Sequence, residues 1–458
     1  RASDFGVLLW LGRAIGGQWR PRQRPALFVA SALAFWAVLV ARQWLVGPAA
    51  VFAPRWPVPS LEPHGLELAE FPVRGLGIRT TRERQAGETL VTIPDSWVLS
   101  AVRCASLNPQ LGEAIEVAAA AGQELTDEQV LALFLILERA AGTNSAWQQY
   151  VDMLPKTEIP VLTFTDKQLE LLPNAYQWMV RRARDDIRKL HLSCRPAVEF
   201  LRSHGARDIF SWTAFSWAIS QVRSRSFKDT VHSEISSKRS TRSSLVLIPL
   251  VDLFNHHPRA NTSWRRTGAD TVFFSREHFE AGAEVCNNYG VRDNFEMFLR
   301  YGFVSAGKEH GQDLHFSLDE LLEAFARAHP GLLEGDMLEL VRKELDVGGI
   351  TLFSLAWGSG PSSSLREALG LLRQLAEALG ANVENPSLDD ELLLRELLHG
   401  RLRLAERRLR AAGPNDAAVL RDFLRAEKSL VTRLLSQRLT ALVASSVLAA
   451  ENSSTPQT

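Results

Sequence analysis

The pattern of hydrophobic and polar positions divides the chain into segments with different predicted structures. Residues 26–41 (ALFVASALAFWAVLVA) form an apolar run without a charged residue. Residues 65–103 are rich in β-branched residues and punctuated by glycine, which predicts two or three strands with tight turns. Residues 105–222 are mostly helical in pattern, and residues 245–304 return to strand-like runs. This order predicts a β-rich domain interrupted by a helical insertion.

The C-terminal third of the chain has a helical pattern. Ser317 and Glu320 have the spacing of a capping box in front of an apolar stripe, and a second pair of this kind begins at Ser364. These signals predict a helical lobe over residues 306–450. The polar tail at 451–458 is expected to be disordered.

The N-terminal apolar run has a strongly basic flank. Five arginines and one aspartate precede residue 26, which is typical of a signal anchor or an organelle presequence. A buried helix is the alternative, because the run is shorter than the roughly 20 residues that span a bilayer. Prolines at positions 54 to 63 form a linker. We therefore expect residues 1–60 to be a targeting or membrane-anchor segment, with membrane association through residues 26–46, in a plastid or cytoplasmic protein.

Length and charge narrow the class of protein. The chain has 458 residues with 46% hydrophobic residues, enough for several domains with cores, which excludes a disordered or fibrous chain. Lys plus Arg and Asp plus Glu both number 52, and this balance argues against a nucleic-acid partner. The basic run from Arg401 to Arg410 is interpreted as a solvated helix face, with a site for an acidic partner as the alternative.

The cysteines give no sign of a disulfide framework or a metal centre. Cys104, Cys194 and Cys286 are odd in number and far apart in the sequence. Neither a set of disulfides nor a CxxC zinc cluster can be drawn from them. We expect a reducing compartment and no bound metal.

Four short segments carry candidate chemistry. Two closely spaced glycines let a backbone approach a ligand, and an arginine can bind a carboxylate with two hydrogen bonds. Polar residues at the end of a buried strand each need a buried hydrogen-bond partner, so they are difficult to explain as core. The segments are GLG at 75–77, SRSF at 224–227, DLFNH at 252–256, and NNYG at 287–290 followed by YGF at 301–303.

In this order the segments resemble the SET-domain protein methyltransferases, in the branch typified by the Rubisco large-subunit lysine methyltransferase and the actin-histidine methyltransferase. The resemblance covers about residues 65–305 and includes LALFLILERAAGTNSAWQQYVDMLP, which is similar to the helical insertion of that branch. It implies an α+β fold: a SET-domain β-fold with a pseudoknot over residues 61–305, a helical insertion at about 105–222, and an all-α substrate-binding lobe at 306–450. In the pseudoknot the segment containing Asn255 and His256 passes next to the final strand.

The resemblance also implies S-adenosylmethionine as methyl donor and assigns roles to residues. Tyr289 matches the catalytic tyrosine, whereas a general-base role for His256 is the alternative that histidine chemistry suggests. The residues matched to cofactor binding are Arg74, Gly75, Leu76, Arg225, Asn255 and His256. The residues matched to the substrate side are Arg225, Asp252 and Tyr301.

We therefore expect an S-adenosylmethionine-dependent protein-lysine N-methyltransferase that acts as a monomer on a non-histone protein. Some positions depart from the family pattern: Asn287 and Asn288 precede Tyr289, and Asp229 stands where the Rubisco enzyme has a basic residue, which leaves the choice of substrate open. The alternatives are a protein-histidine N-methyltransferase, a catalytically silent SET-fold binding module, and a membrane-anchored scaffold.

Overall fold

The computed structural model describes the greater part of the chain after residue 60. The described residues are 61–72, 74–206, 208–229, 244–267, 270–304, 313–332, 341–343, 352–357, 359–380, 386–414 and 416–453. The expected targeting segment at 1–60, including the expected membrane contact at 26–46, lies outside them. Within the described part of the chain, no helix combines the length and the apolar character that a membrane span requires.

The β-rich part is built from short strands in three small sheets. The sheet orders are β1-β2-β10-β7, β3-β9-β8 and β4-β6-β5. Residues 65–103 are β-rich as predicted, with four strands instead of the expected two or three, the fourth having only two residues. The strands are β1 (Leu66–Phe71), β2 (Gly75–Thr80), β3 (Thr89–Pro94), β4 (Leu99–Ser100), β5 (Phe227–Asp229), β6 (Ser244–Leu247), β7 (Asn255–His256), β8 (Thr262–Thr267), β9 (Asp270–Ser275) and β10 (Glu284–Asn287).

The predicted helical insertion is present between β4 and β5. Its helices are α1 (Ala101–Leu107), α2 (Pro109–Ala120), α3 (Asp127–Ala141), α4 (Gln148–Met153), α5 (Asp166–Glu170), α6 (Asn174–Ser193), α7 (Arg195–Ser203) and α8 (Trp212–Arg225). The eight consecutive residues 129–136 of α3 are all buried, so this helix runs through the core. Helix α8 packs against α3 and carries Arg225 at its last position.

One parallel strand pair brings distant segments together. Strand β7 pairs with β10 so that Asn255 lies opposite Cys286 and His256 lies opposite Asn287. This arrangement confirms the prediction that the NH segment passes next to the final strand. Because Tyr289 lies two residues after the end of β10, the pairing places it beside His256.

The C-terminal part is predominantly helical, as predicted, but it also contains a small sheet. Helix α9 (Asn294–Tyr301) precedes it, and its helices are α10 (Leu318–Ala328), α11 (Ser363–Ala378), α12 (Pro386–Ala411) and α13 (Ala418–Ser453). The strands β11 (Asp313–Ser317), β12 (Leu352–Ala356) and β13 (Gly360–Pro361) correct the expectation of an all-α lobe. The buried positions of β11 and β12 alternate with period two, but the apolar residues of β12 (LFSLA) do not, and each strand has only five residues, too few to stand out among helices.

Two helix boundaries in this part also differ from their predictions. The capping box at Ser317 is confirmed, but α11 is capped by Ser362, whose Oγ accepts a hydrogen bond from Leu365 N, instead of Ser364. Three serines in a row made the position of the cap ambiguous in the sequence. Helix α13 continues to Ser453 and so includes the first three residues of the expected tail. Residues 454–458 lie outside the described part.

The sequence suggested that the basic run of α12 is a solvated helix face, but the run is not uniformly exposed to solvent. Arg401 is 2% exposed and lies 3.1 Å from Glu320 Oε1 and 3.6 Å from Glu427 Oε1. Arg410 is exposed. Helix α12 packs between α10 and α13, so one face of the basic run is internal and its arginine is paired within the chain.

An aromatic cluster connects the C-terminal helix to the part of the chain around the candidate site. Tyr176 of α6 stacks on Phe295 of α9 with ring centroids 4.4 Å apart. Phe423 of α13 stacks on Phe298 of α9 at 4.7 Å. These contacts fix α9, whose last residue is Tyr301, against both the insertion and the C-terminal part. The division into domains at about residue 305 stays a prediction.

Candidate functional site

A cavity of about 350 Å³ lies where β2, α8, β7 and the segment after β10 converge. Its volume is in the range of small-molecule sites. Eight of the nine residues predicted for the site line it: Arg74, Gly75, Leu76, Arg225, Asp252, Asn255, Tyr289 and Tyr301. The ninth, His256, lies directly behind Tyr289, with the two ring centroids 5.0 Å apart.

Asp252 is a buried carboxylate in this cavity. Tyr150 donates its hydroxyl to Asp252 Oδ2 at 2.8 Å, and Arg225 Nη1 donates to the Asp252 backbone oxygen at 2.7 Å. Burial raises the pKa of Asp252 to about 6, while the Arg225 charge and the Tyr150 hydrogen bond oppose the rise. Just before it, Leu250 adopts φ +75°, a conformation that costs a non-glycine residue about 1–3 kcal/mol and that positions the turn carrying Asp252.

Tyr289 is held in one orientation by hydrogen bonds at both ends. Its hydroxyl donates to the Phe254 backbone oxygen at 2.8 Å, and its backbone N–H donates to His256 Nδ1 at 3.0 Å. Burial raises the pKa of Tyr289 well above its usual range, so the phenol stays neutral. The ring lies 4.8 Å from that of Tyr301, centroid to centroid. The neutral phenol can act as an oriented dipole.

His256 supports this arrangement through its ring. Because His256 Nδ1 already accepts the Tyr289 N–H, that nitrogen is not available to take a proton from a substrate. The side chain is 8% exposed and does not line the cavity. Its geometry therefore favours a supporting role over that of a general base.

The GLG segment is held against the NH segment by Glu284. Glu284 Oε2 lies 2.5 Å from Arg74 Nη1, and Glu284 Oε1 accepts a hydrogen bond from Asn255 Nδ2 at 2.9 Å. A Cβ at Gly77 would overlap that same Asn255 amide. Gly75 has φ +74°, which favours glycine. Glycine is thus favoured at the two positions for different reasons: at Gly75 because of the backbone angle, and at Gly77 because Asn255 approaches closely.

Several residues of the site carried no recognisable sequence signal. Tyr150 and Glu284 contact predicted residues, but a tyrosine in a helix and a glutamate in a strand have no pattern of their own. Other residues line the cavity in addition. Ser224, Leu253 and Phe303 belong to the predicted motifs, and Gln221 lies on α8. The rest are the last residue of α4 and the segment after it: Met153, Pro155, Thr157, Glu158, Ile159 and Pro160.

The described residues show no group of three His, Cys, Asp or Glu side chains that could hold a metal ion. The three cysteines are buried and free. Burial raises the pKa of the Cys286 and Cys194 thiols to about 12, which keeps both neutral. The polar groups that line the cavity include tyrosine, carboxylate and arginine side chains.

Comparison with known proteins identifies residues 75–290 as a match to the SET domain family model. The chain is 28% identical over 322 residues to SET domain-containing protein 4 of Mus musculus, covering 68% of this chain and 69% of that protein. It is 28% identical over 259 residues to the actin-histidine N-methyltransferase of Drosophila melanogaster, covering 52% and 46%. It is 29% identical over 179 residues to the ribosomal lysine N-methyltransferase set10 of Schizosaccharomyces pombe, covering 38% and 30%.

Solved structures show the same fold. The SET domain of LSMT bound to lysine and AdoHcy has a TM-score of 0.51 and 15% identity, covering 92% of this chain and 93% of that one. Rubisco LSMT bound to AdoMet has a TM-score of 0.51 and 16% identity, covering 82% and 87%. At this level of identity the likeness concerns the fold, and it agrees with the predicted architecture.

Proposed function

This chain is a SET-domain protein methyltransferase that uses S-adenosylmethionine, and from that premise we propose that it methylates the side-chain nitrogen of a lysine in a non-histone protein. The observation that carries the proposal is the convergence of Tyr289, Asp252 and Arg225 on one cavity. These groups come from three separate segments, and the chain folds so that all three face the same space.

The cavity has groups that fit the cofactor. Arg225 Nε is buried and has no hydrogen-bond acceptor among the described residues, so it can take an oxygen of a carboxylate. Arg74 adds a second guanidinium, and Gly75 and Leu76 are exposed residues of the cavity lining whose carbonyl oxygens would accept from an amino group. When bound, S-adenosylmethionine supplies an electrophilic methyl group on a sulfonium. Arg74, Gly75, Leu76, Arg225 and Asn255 would hold it.

The remaining groups would prepare the target nitrogen. Methyl transfer requires a neutral amine in line with the methyl group, so the site has to exclude water and orient the amine. A lysine amine has a reference pKa near 10.4, and desolvation between the rings of Tyr289 and Tyr301 favours loss of its proton. Asp252, ionised above about pH 6, would attract the entering ammonium to the cavity. Tyr289, as a neutral phenol, would align the nitrogen.

A lysine target is favoured over a histidine because the buried carboxylate and the aromatic walls suit a flexible cationic side chain. The actin-histidine relatives keep histidine as the alternative target. The names of the relatives suggest actin and ribosomal proteins as the first substrates to test.

The experiment measures transfer of labelled methyl groups from S-adenosylmethionine to purified actin, to ribosomal subunits and to a whole-cell protein extract. Mass spectrometry then identifies the modified residue. We expect Tyr289→Phe to lower transfer about 100-fold or more while calorimetry shows unchanged cofactor binding. Tyr176→Phe, the same substitution at a residue that does not line the cavity, is the matched control and should retain activity.

Each other outcome has a definite meaning. Detection of methylhistidine in the product would show that the target residue is histidine and not lysine. Unchanged transfer by Tyr289→Phe would contradict the assigned catalytic residue. Cofactor binding without transfer to any of the three substrates would count against the proposed substrate class, and absence of cofactor binding would favour a silent binding module.

We further propose that the enzyme acts as a monomer and that residues 1–60 direct it to a membrane or a plastid, with the cytoplasm as the other expected location. The support is the basic flank and apolar run of the sequence. Cell fractionation of the full chain, compared with a chain that begins at residue 61, tests the segment. Equal distribution of the two proteins would contradict it. Light scattering of the purified protein tests the oligomeric state.

A further inference from the structure

Gln221 occupies a position in the cavity that no sequence motif indicated. It lies on α8 four residues before Arg225, so both side chains project from the same face of the helix. Both line the cavity, and Gln221 is only 3% exposed. A buried amide at a cavity wall needs partners for its donor and its acceptor atoms.

Only one end of the Gln221 amide is satisfied by the described residues. Its Nε2 donates to the Thr157 backbone oxygen at 3.3 Å, and this bond orients the side chain because a carbonyl oxygen can only accept. The other end, Gln221 Oε1, is buried and has no hydrogen-bond donor among the described residues. An unsatisfied buried acceptor is unfavourable, so it is expected to find its donor in the enzyme's working complex.

Two of the donors that line the cavity are engaged within the protein, and a third, Arg225 Nε, is assigned above to the cofactor carboxylate. The Tyr289 hydroxyl donates to the Phe254 backbone oxygen, and Arg225 Nη1 donates to the Asp252 backbone oxygen. A target amine, in contrast, carries two N–H groups when neutral and three when protonated. The donor that Gln221 Oε1 lacks is thus the kind of group that the substrate brings.

We propose that Gln221 is a positioning residue whose Oε1 accepts an N–H from the nitrogen that is methylated. The proposal rests on the proposed function and specifies how the same cavity orients its target. Holding one N–H restricts rotation of the amine and so directs its lone pair. If the target is a histidine, the N–H on the non-attacking ring nitrogen takes the same place.

The neutrality of the amide matters for this role. A carboxylate at position 221 would stabilise the ammonium form of the target and raise its pKa. The amide accepts the hydrogen bond without holding the extra proton. The Gln221→Glu variant should therefore shift the pH dependence of kcat/KM to higher pH, an effect that a purely structural glutamine would not produce.

Binding is tested first, with a probe that needs no knowledge of the substrate protein. The full chain is first saturated with S-adenosylhomocysteine. Saturation-transfer NMR then measures the binding of two probes, Nα-acetyl-lysine methylamide and Nα-acetyl-histidine methylamide. We expect Gln221→Met to weaken binding of the preferred probe about tenfold, since methionine has nearly the same shape but lacks the acceptor. S-adenosylhomocysteine binding should be unchanged.

Gln177→Met is the matched control for this substitution. Gln177 Nε2 also donates to a backbone oxygen, that of Leu172 at 2.8 Å, but the residue does not line the cavity. The control should bind the probe as the unmodified chain does. Circular dichroism and thermal denaturation of each variant establish that it is folded.

The outcomes separate this proposal from the proposed function. Probe binding that is equal in Gln221→Met and the unmodified chain, or absent from both, would overturn the role of Gln221. Methylation of the whole-cell extract is measured in parallel, and normal transfer by Gln221→Met would reject the positioning role while leaving the enzyme activity intact. If Gln221→Met is unfolded, the pH profile of Gln221→Glu decides, and an unshifted profile would overturn the proposal.

Discussion

Replacing Tyr150 with phenylalanine removes a single hydroxyl from the core and tests the charge of Asp252. Tyr150 is 1% exposed, and its hydroxyl donates to Asp252 Oδ2 at 2.8 Å. The phenylalanine ring can keep the edge-to-face contact with Trp147, whose centroid lies 6.5 Å away. The main change is therefore the loss of one hydrogen bond to a buried carboxyl group.

The magnitude depends on whether that carboxyl group is ionised. A hydrogen bond to a charged group contributes about 1.5–3 kcal/mol to stability and one to a neutral group about 0.5–1.5 kcal/mol. Because burial raises the pKa of Asp252 to about 6, the group is mostly ionised at pH 8 and mostly protonated at pH 5. Tyr150→Phe should therefore lower the free energy of unfolding by about 2 kcal/mol at pH 8 and by about 1 kcal/mol at pH 5.

The sign of the pH dependence follows from the direction of the shift. The folded-state pKa of Asp252 lies above the reference value of 3.8, so the folded protein binds this proton more tightly than the unfolded chain. This group's contribution to stability is therefore greatest below about pH 4 and declines as the pH rises to about 6. In Tyr150→Phe the lost hydrogen bond raises the pKa further, by about one unit, and the decline should extend to about pH 7.

Urea denaturation at pH 5 and at pH 8 measures the free energy of unfolding of Tyr150→Phe and of the unmodified chain. Tyr289→Phe is the matched control, because the Tyr289 hydroxyl donates to the neutral Phe254 carbonyl at 2.8 Å. The decrease in the free energy of unfolding caused by this substitution should be the same at both pH values. Equal destabilisation of Tyr150→Phe at pH 5 and pH 8 would refute the reasoning, since Asp252 would then not change its charge in this interval.

Two further substitutions test the packing around the site and the C-terminal part. Gly77→Ala should displace the Asn255 amide and weaken S-adenosylmethionine binding, measured by calorimetry, about tenfold. Gly370→Ala is the control, because Gly370 lies in a helix with open space around its Cβ position. This variant should bind the cofactor normally and be more stable by about 0.5–1 kcal/mol. Arg401→Met should lower the free energy of unfolding by about 3–5 kcal/mol, because it leaves the buried Glu427 and the partly buried Glu320 without this cation. The exposed Arg410→Met should change it by less than about 0.5 kcal/mol, and thermal denaturation compares the two.

Local signals predicted local structure well. The capping box at Ser317 depends on residues three positions apart, and the helical insertion follows from periodicity within single helices. The same locality explains two of the differences. The five-residue strand β12 was too short to show its period among helices, and three adjacent serines could not indicate which one caps α11.

Resemblance to a known family extended the prediction to the site. The order of the four motifs identified the residues that meet in the cavity, although they are separated by up to 227 positions, from Arg74 to Tyr301. Residue order alone gives no distances. The structure adds the hydrogen bonds that orient Tyr289 and the close approach of Asn255 that requires glycine at position 77.

The sequence, read together with its family resemblance, thus determined the class of fold, the order of its main segments and eight of the residues that line the cavity. The tertiary structure was needed to find the Tyr150 partner of Asp252, the open acceptor of Gln221 and the internal pairing of Arg401. The physical reason is the same for all three. Burial, hydrogen bonding and ion pairing depend on which distant segments come into contact, and a side chain's own neighbours in the sequence carry no record of that contact.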